Sequence, residues 1–486
     1  MDGRLVEPAV GAALTETARR YVRGMPSEPA ARRRRWAISF DRMAIVLAAA
    51  AALAVLCRAS FQNDTWWALR VGRDLVRDHV WPWHDHFTFT VPGAHFPDHE
   101  WLSSSVLYLL DDFFGPVGPT VLVVGCAAAT LVVVWRRLAG DVVIRLGLVA
   151  VAFVAVAEIT NVRPHLISLL LTAVTIGLLR SGRFWLLPPL FLLWANLHGG
   201  VALGGAILVA VTLAAALVDR ARLRNLAALT IAAGLATLVN PLGFGLVTAV
   251  LKLTGESGID EWKPSWQVMP AGAILGGVAL AFVVSTLRLP RPWRWQTTVD
   301  VAASLALLGP AVRYNRTVAL FVIAALPVVA AALASRRPVR PRRDAPSEMN
   351  TVIAAVGVAM AMLFVLSGWV ERDSALGWDP VSPAAVAAVR ACPGNLYNTY
   401  NDGGFLIWFV PERRVFIDSR FSPFDRSFVD AHVRDEASGS YQETFERWNI
   451  RCAFLPPSSP TAAALRRDGW SVSYADADWL VLTHPR

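Results

Sequence analysis

Charged residues are scarce in this sequence of 486 residues. Asp, Glu, Lys and Arg make up only 17% of it, whereas 55% is hydrophobic and the mean hydropathy is +0.44. This shortage excludes an ordinary soluble chain and favours an integral membrane protein. The net charge of +9 does not indicate nucleic-acid binding. Its arginines stand in short clusters between apolar runs, as the positive-inside rule requires of cytoplasmic loops.

The sequence also lacks the features of a cleavable signal peptide. Residues 1–40 contain a basic run at 32–35 but no apolar core of sufficient length. The first long apolar run, 43–57, has no small-residue cleavage site behind it, so we expect it to remain as the first membrane helix. Residues 1–40 are therefore predicted to form a basic cytoplasmic tail.

Cysteines are few, and their positions differ in character. Cys57 and Cys126 fall inside apolar runs, whereas Cys392 and Cys452 fall in the polar C-terminal segment. If that segment lies outside the cytoplasm, the oxidising environment would allow Cys392 and Cys452 to form a disulfide.

Apolar runs long enough for spanning helices are abundant, since a span needs about 20 apolar residues. The predicted fold class is an α-helical polytopic membrane protein with about 11 transmembrane helices. The candidate ranges are 42–59, 118–135, 143–160, 164–180, 184–197, 200–218, 224–240, 271–287, 297–312, 317–334 and 350–369.

The arginine distribution gives the orientation. With the N-terminus inside, five connections rich in arginine all become cytoplasmic: 136–145, 180–183, 219–224, 288–294 and 336–343. The odd number of spans then places the C-terminal segment outside.

The last part of the chain, residues 370–486, has a different composition and is predicted to be a small extracytoplasmic α/β domain. Its patterns predict helices near 384–390 and 443–448 and strands at 395–400, 415–418, 452–455, 470–474 and 479–483. The transmembrane domain then covers residues 41–369.

The longest loop of the transmembrane domain is the first outer loop, residues 60–117, which is too long to be a simple connector. Arg70 and Arg73 recur at helical spacing near its start, opposite apolar residues. We expect an amphipathic helix at the membrane interface, anchored by Trp66 and Trp67 at headgroup depth. The loop also holds five of the nine histidines, but no spacing specific to one metal, so any metal is unknown.

Asp64 begins this amphipathic segment. A carboxylate at the membrane edge beside Trp67 is well placed to accept a proton from an acceptor hydroxyl, because partial desolvation raises its basicity. The alternative is that Asp64 simply caps the following helix.

His198 lies at a break between two apolar runs, next to Asn196 and two glycines. Ionisable residues in or at the edge of the membrane are costly and are often functional. We therefore expect His198 and Asn196 to orient a substrate, together with Trp67 and Asp85 of the first outer loop. The alternative for His198 is a helix-packing histidine.

Two arginines, Arg313 and Arg316, stand on a tight outer turn and so oppose the charge rule. A lipid phosphate or pyrophosphate would explain them, because guanidinium offers a planar fork of donors. Arg163 lies on the same face and could join them. The alternative is pairing with loop carboxylates.

The order of these motifs resembles the GT-C superfamily of integral membrane glycosyltransferases, especially bacterial GT-C-like proteins with a C-terminal periplasmic domain. The resemblance is carried by Asp64-Thr65-Trp66-Trp67, then His99-Glu100-Trp101-Leu102, then Arg163-Pro164-His165. It implies a location in the bacterial plasma membrane, a polyprenyl-phosphate sugar donor, and a lipid, glycan or protein acceptor.

The resemblance also implies roles for individual acids. An acidic residue of the first outer loop is the usual catalytic base or metal-associated carboxylate of the superfamily, and Asp64 matches that position. The paired-acid form is absent at Asp64, so Asp85 and Glu100 are the candidates for a second acid. A divalent cation, Mg²⁺ or Mn²⁺, is the implied cofactor.

A turn in the C-terminal segment, ending in Asp402 and two glycines, resembles in its placement the tryptophan-rich motif of oligosaccharyltransferase C-terminal domains. Asp402 would lie at a strand's carboxyl edge, where α/β domains usually bind ligands. Asp418 and Arg420 are the other ligand candidates; pairing of the two within the domain is the alternative.

The leading hypothesis is an inverting sugar transfer. Asp64 would be the base, with His99 and Glu100 also in the catalytic set. His198 with Glu100 would orient the substrate, and Arg163, Arg313 and Arg316 would hold the departing phosphate. The alternatives are a catalytically silent GT-C-like scaffold and a lipid-binding or transport protein.

Overall fold

A computed structural model of the chain describes residues 36–254, 263–336, 345–420 and 423–485. By their contacts these residues divide into two compact units. One holds 36–50 and 345–360; the other holds 51–254, 263–336, 361–420 and 423–485. The predicted cytoplasmic tail before residue 36 and the predicted inner connection beyond residue 336 lie outside the described residues.

The described residues up to 370 are mostly helical. Their helices are α1 (Phe40–Leu56), α2 (Asn63–Val76), α3 (Trp101–Phe114), α4 (Val117–Arg137), α5 (Val142–Ala157), α6 (His165–Ser181), α7 (Leu187–Leu197), α8 (Val201–Val218), α9 (Arg220–Ala236), α10 (Gly245–Thr254), α11 (Ala271–Arg288), α12 (Trp295–Arg313), α13 (Val318–Ala334) and α14 (Glu348–Val370).

Each of the eleven predicted spans overlaps one of these helices. Among the described residues, five helices are at least 18 residues long and apolar enough to cross a membrane, and three apolar helices are shorter. The protein is therefore a helical membrane protein, while the count of about 11 spans stays a prediction. The core is deepest at α13, where nearly every residue is buried.

The first loop is organised around α2 and α3, which pack closely on each other. Their contact depends on Gly72, because a Cβ atom there would lie 2.1 Å from the carbonyl oxygen of Ser104. Any other residue at this position would force the two helices apart. The amphipathic helix predicted from the arginine spacing is therefore present as α2, and its apolar face is covered by protein.

The expected membrane anchor at the start of α2 was wrong for Trp66. This side chain is only 4% exposed and packs against Phe61, Trp408 and Phe409. Its apolar surface is removed from water by the C-terminal domain, so hydropathy alone could not separate this burial from a place at the membrane interface.

The C-terminal domain is built on a four-stranded sheet with helices around it. Its strands are β1 (Asn395–Asn398), β2 (Ile450–Leu455), β3 (Ser471–Ala475) and β4 (Leu480–Thr483), in the order β1-β2-β4-β3. The first pair is parallel and the others are antiparallel. Its helices are α15 (Pro383–Ala391), α16 (Gly403–Phe409), α17 (Arg426–Ser438), α18 (Gln442–Arg447) and α19 (Pro460–Arg467).

A disulfide joins Cys392, at the end of α15, to Cys452 in β2, with their Cα atoms 5.8 Å apart. This domain has a small core of its own, in which buried residues of β2 and β4 pack against buried residues of the surrounding helices. The boundary at residue 370, where α14 ends, stays a prediction.

The predicted strand at 415–418 was wrong. Val415 donates its backbone N–H to the carbonyl of Phe87 at 2.9 Å and accepts from Phe89 at 3.3 Å, which makes an isolated parallel bridge to the first loop. The backbone N–H of Phe416 donates to the Asn398 side chain instead of a neighbouring strand. The apolar residues that suggested a strand are instead buried between the first loop and the rest of the C-terminal domain.

The start of α16 fits tightly against the start of α2. A Cβ atom on Gly404 would lie 2.2 Å from the backbone oxygen of Asn63, and one on Gly403 would lie 2.1 Å from that of Ile417. The two glycines therefore permit the C-terminal domain to contact the segment that carries Asp64.

Candidate functional site

A cavity of about 1430 Å³ lies where the first loop, several helix ends and the C-terminal domain meet. Its volume is larger than the usual range for small-molecule sites, about 300–1,000 Å³, so a bulky ligand fits. The ionisable or hydroxyl-bearing residues at its wall include Asp64, Glu100, Arg163, His198, Arg316 and Ser419.

Asp64 lines this cavity, and each of its two carboxylate oxygens has an ion-pair or hydrogen-bond partner. Oδ2 lies 2.6 Å from Nη2 of Arg163. Oδ1 accepts from the indole N–H of Trp67 at 3.1 Å and from the hydroxyl of Ser419 at 2.6 Å. Asp64 sits in the first turn of α2, and the N-cap residue is Gln62, so the capping alternative was wrong.

The local backbone explains why Arg163 reaches Asp64. The N–H of Val162 donates to the carbonyl of Ser60 at 2.9 Å, and the Thr65 hydroxyl donates to the carbonyl of Val162 at 2.7 Å. These bonds fix the segment before α6 against the start of α2, which brings the guanidinium to the carboxylate.

Glu100, the residue immediately before α3, is a second acid that lines the cavity. Its Oε1 lies 3.2 Å from Nε2 of His198 and 3.5 Å from Nε2 of His99. Burial raises the pKa of Glu100 to about 7, although the charges of Arg163 and Arg316 oppose the rise. A carboxyl with that pKa exchanges protons near neutral pH.

Asp98 is a further acid at this cavity that we did not select from the sequence. Its Oδ1 accepts the backbone N–H of Glu100 at 2.8 Å, and its Oδ2 accepts the hydroxyl of Ser104 at 3.2 Å. Burial, together with the charge of Glu100, raises the pKa of Asp98 to about 6. Burial lowers the pKa of His99 between them.

The two arginines of the outer turn separate in the structure. Arg316 lines the cavity. Arg313 is exposed, with its guanidinium carbon 4.9 Å from the centre of the Tyr314 ring, and it is not among the lining residues of the described chain. The structure thus brings Arg163 and Arg316 to the same cavity, whereas Arg313 is not one of the described residues that line it.

Asn196 fixes the loop to the helices. Its Oδ1 accepts the indole N–H of Trp101 at 3.1 Å, and its Nδ2 donates to the carbonyls of Leu192 and Val239, both at 2.9 Å. With these groups engaged, Asn196 holds the start of α3, and hence Glu100, in place.

Asp85, Asp418 and Arg420 form a sealed cluster between the first loop and the C-terminal domain. The guanidinium of Arg420 pairs with both carboxylates, and all three side chains are 0% exposed. The rings of Phe87 and Phe96 each lie 4.7 Å from the guanidinium carbon. Arg420 is one of the residues that line the cavity, but its guanidinium has no exposed surface and is held by both carboxylates. This arrangement favours pairing over ligand contact for Asp418.

Asp402 lies at the start of α16, where its carboxylate accepts the Thr399 hydroxyl at 2.6 Å. It is 8% exposed, and burial raises its pKa to about 7. Asp402 is not among the described residues that line the cavity. Its hydrogen bond supports the turn that presents the two glycines.

A divalent cation stays a prediction. The described parts of the chain contain no group of three or more His, Cys, Asp or Glu side chains that could hold a metal ion. Asp64 already faces the charge of Arg163. The donor set therefore does not favour a bound cation.

Sequence reasoning missed Ser168 and Ser419. Ser168 lies on α6, three residues beyond His165, in a run of leucines that reads as packing. Ser419 stands between two residues that we did select, and only its contact with Asp64 distinguishes it. Serines carry no charge signal, so only their neighbours in space reveal them.

No model of a known protein family matches the sequence, and no curated protein does. Solved structures do match. The apo oligosaccharyltransferase of Archaeoglobus fulgidus matches with a TM-score of 0.54 and 12% identity, over 85% of this chain and 69% of that one. The same organism's oligosaccharyltransferase AglB, in complex with an inhibitory peptide and a dolichol-phosphate, matches with a TM-score of 0.53, also at 12% identity and over the same shares.

Both are GT-C membrane glycosyltransferases, and the likeness shows that this chain has the GT-C fold. The resemblance stated from the motifs is confirmed at the level of fold. A structure of ArnT from Cupriavidus metallidurans matches with a TM-score of 0.47 and 13% identity, over 91% of this chain and 99% of that one.

Proposed function

We propose that this protein is a membrane glycosyltransferase that moves a sugar from a polyprenyl-phosphate carrier to an extracytoplasmic acceptor, with inversion at the sugar. The observation that carries the proposal is the single cavity to which Asp64, Glu100, Arg163 and Arg316 all contribute. Two acids and two arginines around one space suit a reaction that takes up a proton and releases an anion.

In the proposed reaction, the acceptor oxygen forms a bond to C1 of the sugar while the bond from C1 to the carrier phosphate breaks. The acceptor proton passes to the carboxylate of Asp64. The phosphate leaves with the negative charge, which Arg163 and Arg316 stabilise through charge-assisted hydrogen bonds. Glu100 and His198 orient the sugar.

Donor binding would itself activate Asp64. Arg163 pairs with Asp64 at 2.6 Å in the structure, and a donor phosphate in the cavity competes for that guanidinium. When Arg163 turns to the phosphate, Oδ2 of Asp64 loses its ion-pair partner and becomes open to the acceptor hydroxyl. The carboxylate is thus released only when the donor is present, which disfavours proton uptake without transfer.

The donor class has support from a neighbour in fold. The AglB structure contains a dolichol-phosphate, which is a lipid phosphate. Because fold does not fix function, the residues of this cavity must supply the argument, and its two arginines meet the requirement of a phosphate ligand. The proposed location is the bacterial plasma membrane, with the N-terminus in the cytoplasm and the C-terminal domain outside.

The test is transfer by the full chain in lipid nanodiscs, with synthetic sugar esters of a polyprenyl phosphate as donors. We expect Asp64→Asn to lower the rate by about 100-fold or more, because proton transfer by a positioned group contributes about 10²–10⁴-fold. Asp78→Asn is the matched control, since Asp78 is an exposed acid of the same loop. Full activity of Asp64→Asn would remove the base assignment.

A second function, lipid binding by a catalytically silent scaffold, is favoured by one observation. The carboxylate of Asp64 already has three partners, Arg163, Trp67 and Ser419. Mass spectrometry of lipids bound to the purified protein distinguishes the two functions. A bound polyprenyl phosphate without transfer from any sugar ester would support the scaffold.

A further inference from the structure

A chain of hydrogen bonds runs from the protein interior to Glu100. The indole N–H of Trp194 donates to the Ser168 oxygen at 2.7 Å, and that oxygen lies 2.7 Å from Nδ1 of His198. On the other side of the ring, Nε2 lies 3.2 Å from Oε1 of Glu100. Trp194 is 0% exposed, Ser168 4% and His198 8%.

The backbone of Gly200 fixes the direction of this chain. Its N–H donates to Nδ1 of His198 at 2.8 Å. A backbone N–H can only donate, so Nδ1 carries no proton and the ring is neutral, with its proton on Nε2. Ser168 must then donate its hydroxyl proton to Nδ1, while Nε2–H points to Glu100.

Gly200 is also required by space. A Cβ atom at this position would lie 2.5 Å from the Ser168 oxygen and 2.8 Å from Nδ1 of His198. Both contacts are closer than a carbon atom can tolerate, so an added methyl group would displace the Ser168 hydroxyl and the His198 ring from each other. At Gly205, in the second turn of α8, a Cβ atom would meet nothing within 4 Å.

We propose that Ser168, Trp194 and Gly200 are positioning residues that hold His198 in the tautomer with its proton on Nε2, so that the imidazole donates to Glu100 and aims this carboxyl into the cavity. The opposite tautomer would place the lone pair of Nε2 against a lone pair of the ionised carboxyl and break the contact. Each donor polarises the next, which strengthens the chain as a unit.

The effect on transfer rests on the proposed function, whereas the tautomer does not. Glu100 is expected to hold sugar hydroxyls, and a carboxyl that loses its donor can turn away from them. A shift of about 1 Å in such a group lowers the rate by about 100-fold. The affinity for the donor phosphate would change little, because Arg163 and Arg316 bind that group in the proposed function.

The first measurement is nitrogen NMR of the full chain, labelled at histidine and held in nanodiscs at pH 7. The His198 signals are identified by their loss in His198→Gln. We expect an unprotonated Nδ1 and a protonated Nε2. The opposite tautomer, or an imidazolium, would overturn the proposal whether or not transfer is observed.

The second measurement compares Gly200, which immediately precedes α8, with Gly205 inside that helix. Gly200→Ala should mix the tautomers of His198, while Gly205→Ala should leave its signals as in the wild type. Ser168→Ala should shift the Nδ1 signal by a smaller amount, because the Gly200 N–H remains. The matched control is Ser304→Ala, which removes another buried helix hydroxyl that is not part of this chain of hydrogen bonds. An unchanged spectrum in Gly200→Ala would overturn the proposal.

The third measurement is transfer. Gly200→Ala should lower kcat by about 10- to 100-fold with little change in the KM for the donor. If the spectra follow the expectation and the wild type transfers no sugar, the proposed function fails and the positioning stands. If transfer occurs and Gly200→Ala keeps the wild-type kcat, the positioning role fails and the proposed function stands.

Discussion

Two arginine–carboxylate clusters lie along the first loop, and they differ in the exposure of their side chains. Arg420 pairs with Asp85 and Asp418 in a cluster whose three side chains are fully buried. Arg163 pairs with Asp64 at the cavity, where their side chains are 17% and 23% exposed.

The difference indicates two kinds of role. A sealed pair has no competing partner, so it contributes to how the loop and the C-terminal domain fit. A pair at a cavity can exchange one partner for a substrate group, as the proposed donor phosphate would do. The same residue types therefore stabilise structure in one place and offer chemistry in the other.

The largest effect is expected from opening the sealed cluster. Arg420→Met would leave two carboxylates buried without their cation, and breaking a buried pair in this way costs about 3–5 kcal/mol. We expect a clear fall in the melting temperature, measured by tryptophan fluorescence in detergent, together with loss of transfer.

The control for this change is Arg372→Met, because Arg372 and its partner Asp379 are both more than half exposed. Exposed pairs contribute about 0–1 kcal/mol, so the melting temperature should stay close to that of the wild type. Equal melting temperatures of the two variants would contradict the structural role of the sealed cluster.

The next effect is expected at the open cluster. Arg163→Ala removes a charge-assisted bond to the donor phosphate, worth about 1.5–3 kcal/mol, so the KM for the donor should rise by about 10- to 100-fold. Arg163→Lys should restore part of it through charge alone. A rise in KM for the acceptor instead would place Arg163 elsewhere in the reaction.

A third prediction concerns pH and Glu100. Its pKa is raised from 4.5 to about 7, so the folded protein holds a proton that the unfolded chain releases in that interval. The wild type should therefore lose stability, relative to Glu100→Gln, as the pH rises from about 4.5 to about 7. If the free energies of unfolding of the two proteins changed equally with pH over this range, the raised pKa would be contradicted.

The smallest effect is expected for Ser419→Ala. This change removes one hydrogen bond to Asp64, worth about 0.5–1.5 kcal/mol, and leaves Arg163 and Trp67 in contact with the carboxylate. The acceptor KM should change by a few-fold with the melting temperature preserved. Ser440→Ala, at an exposed serine of the same domain, is the control.

The helices were predictable because the signal for each lies within its own 20 residues. The amphipathic helix α2 was predictable for the same reason, since Arg70 and Arg73 recur on one side of it. The strands of the C-terminal domain followed from local alternation, except where Val415 pairs with the first loop. What could be predicted is what neighbouring residues along the chain decide.

The cavity was predictable only in part. Asp64, Glu100, Arg163, Arg316 and His198 carry charge or stand at a helix break, and the structure brings them to one cavity. Ser168 and Ser419 act through partners that are distant in sequence. The burial of Trp66 and the sealing of Asp85 likewise depend on the C-terminal domain, which no local pattern reveals.

The contact between Asp64 and Ser419 spans 355 positions of the chain. A ribosome that has made the first loop must still make more than half of the protein before this contact can form. During synthesis, Asp64 therefore lacks its hydrogen bond from the Ser419 hydroxyl until that serine has been added. A nascent or truncated chain would have an incomplete cavity, so completion of the chain itself determines when the site begins to exist.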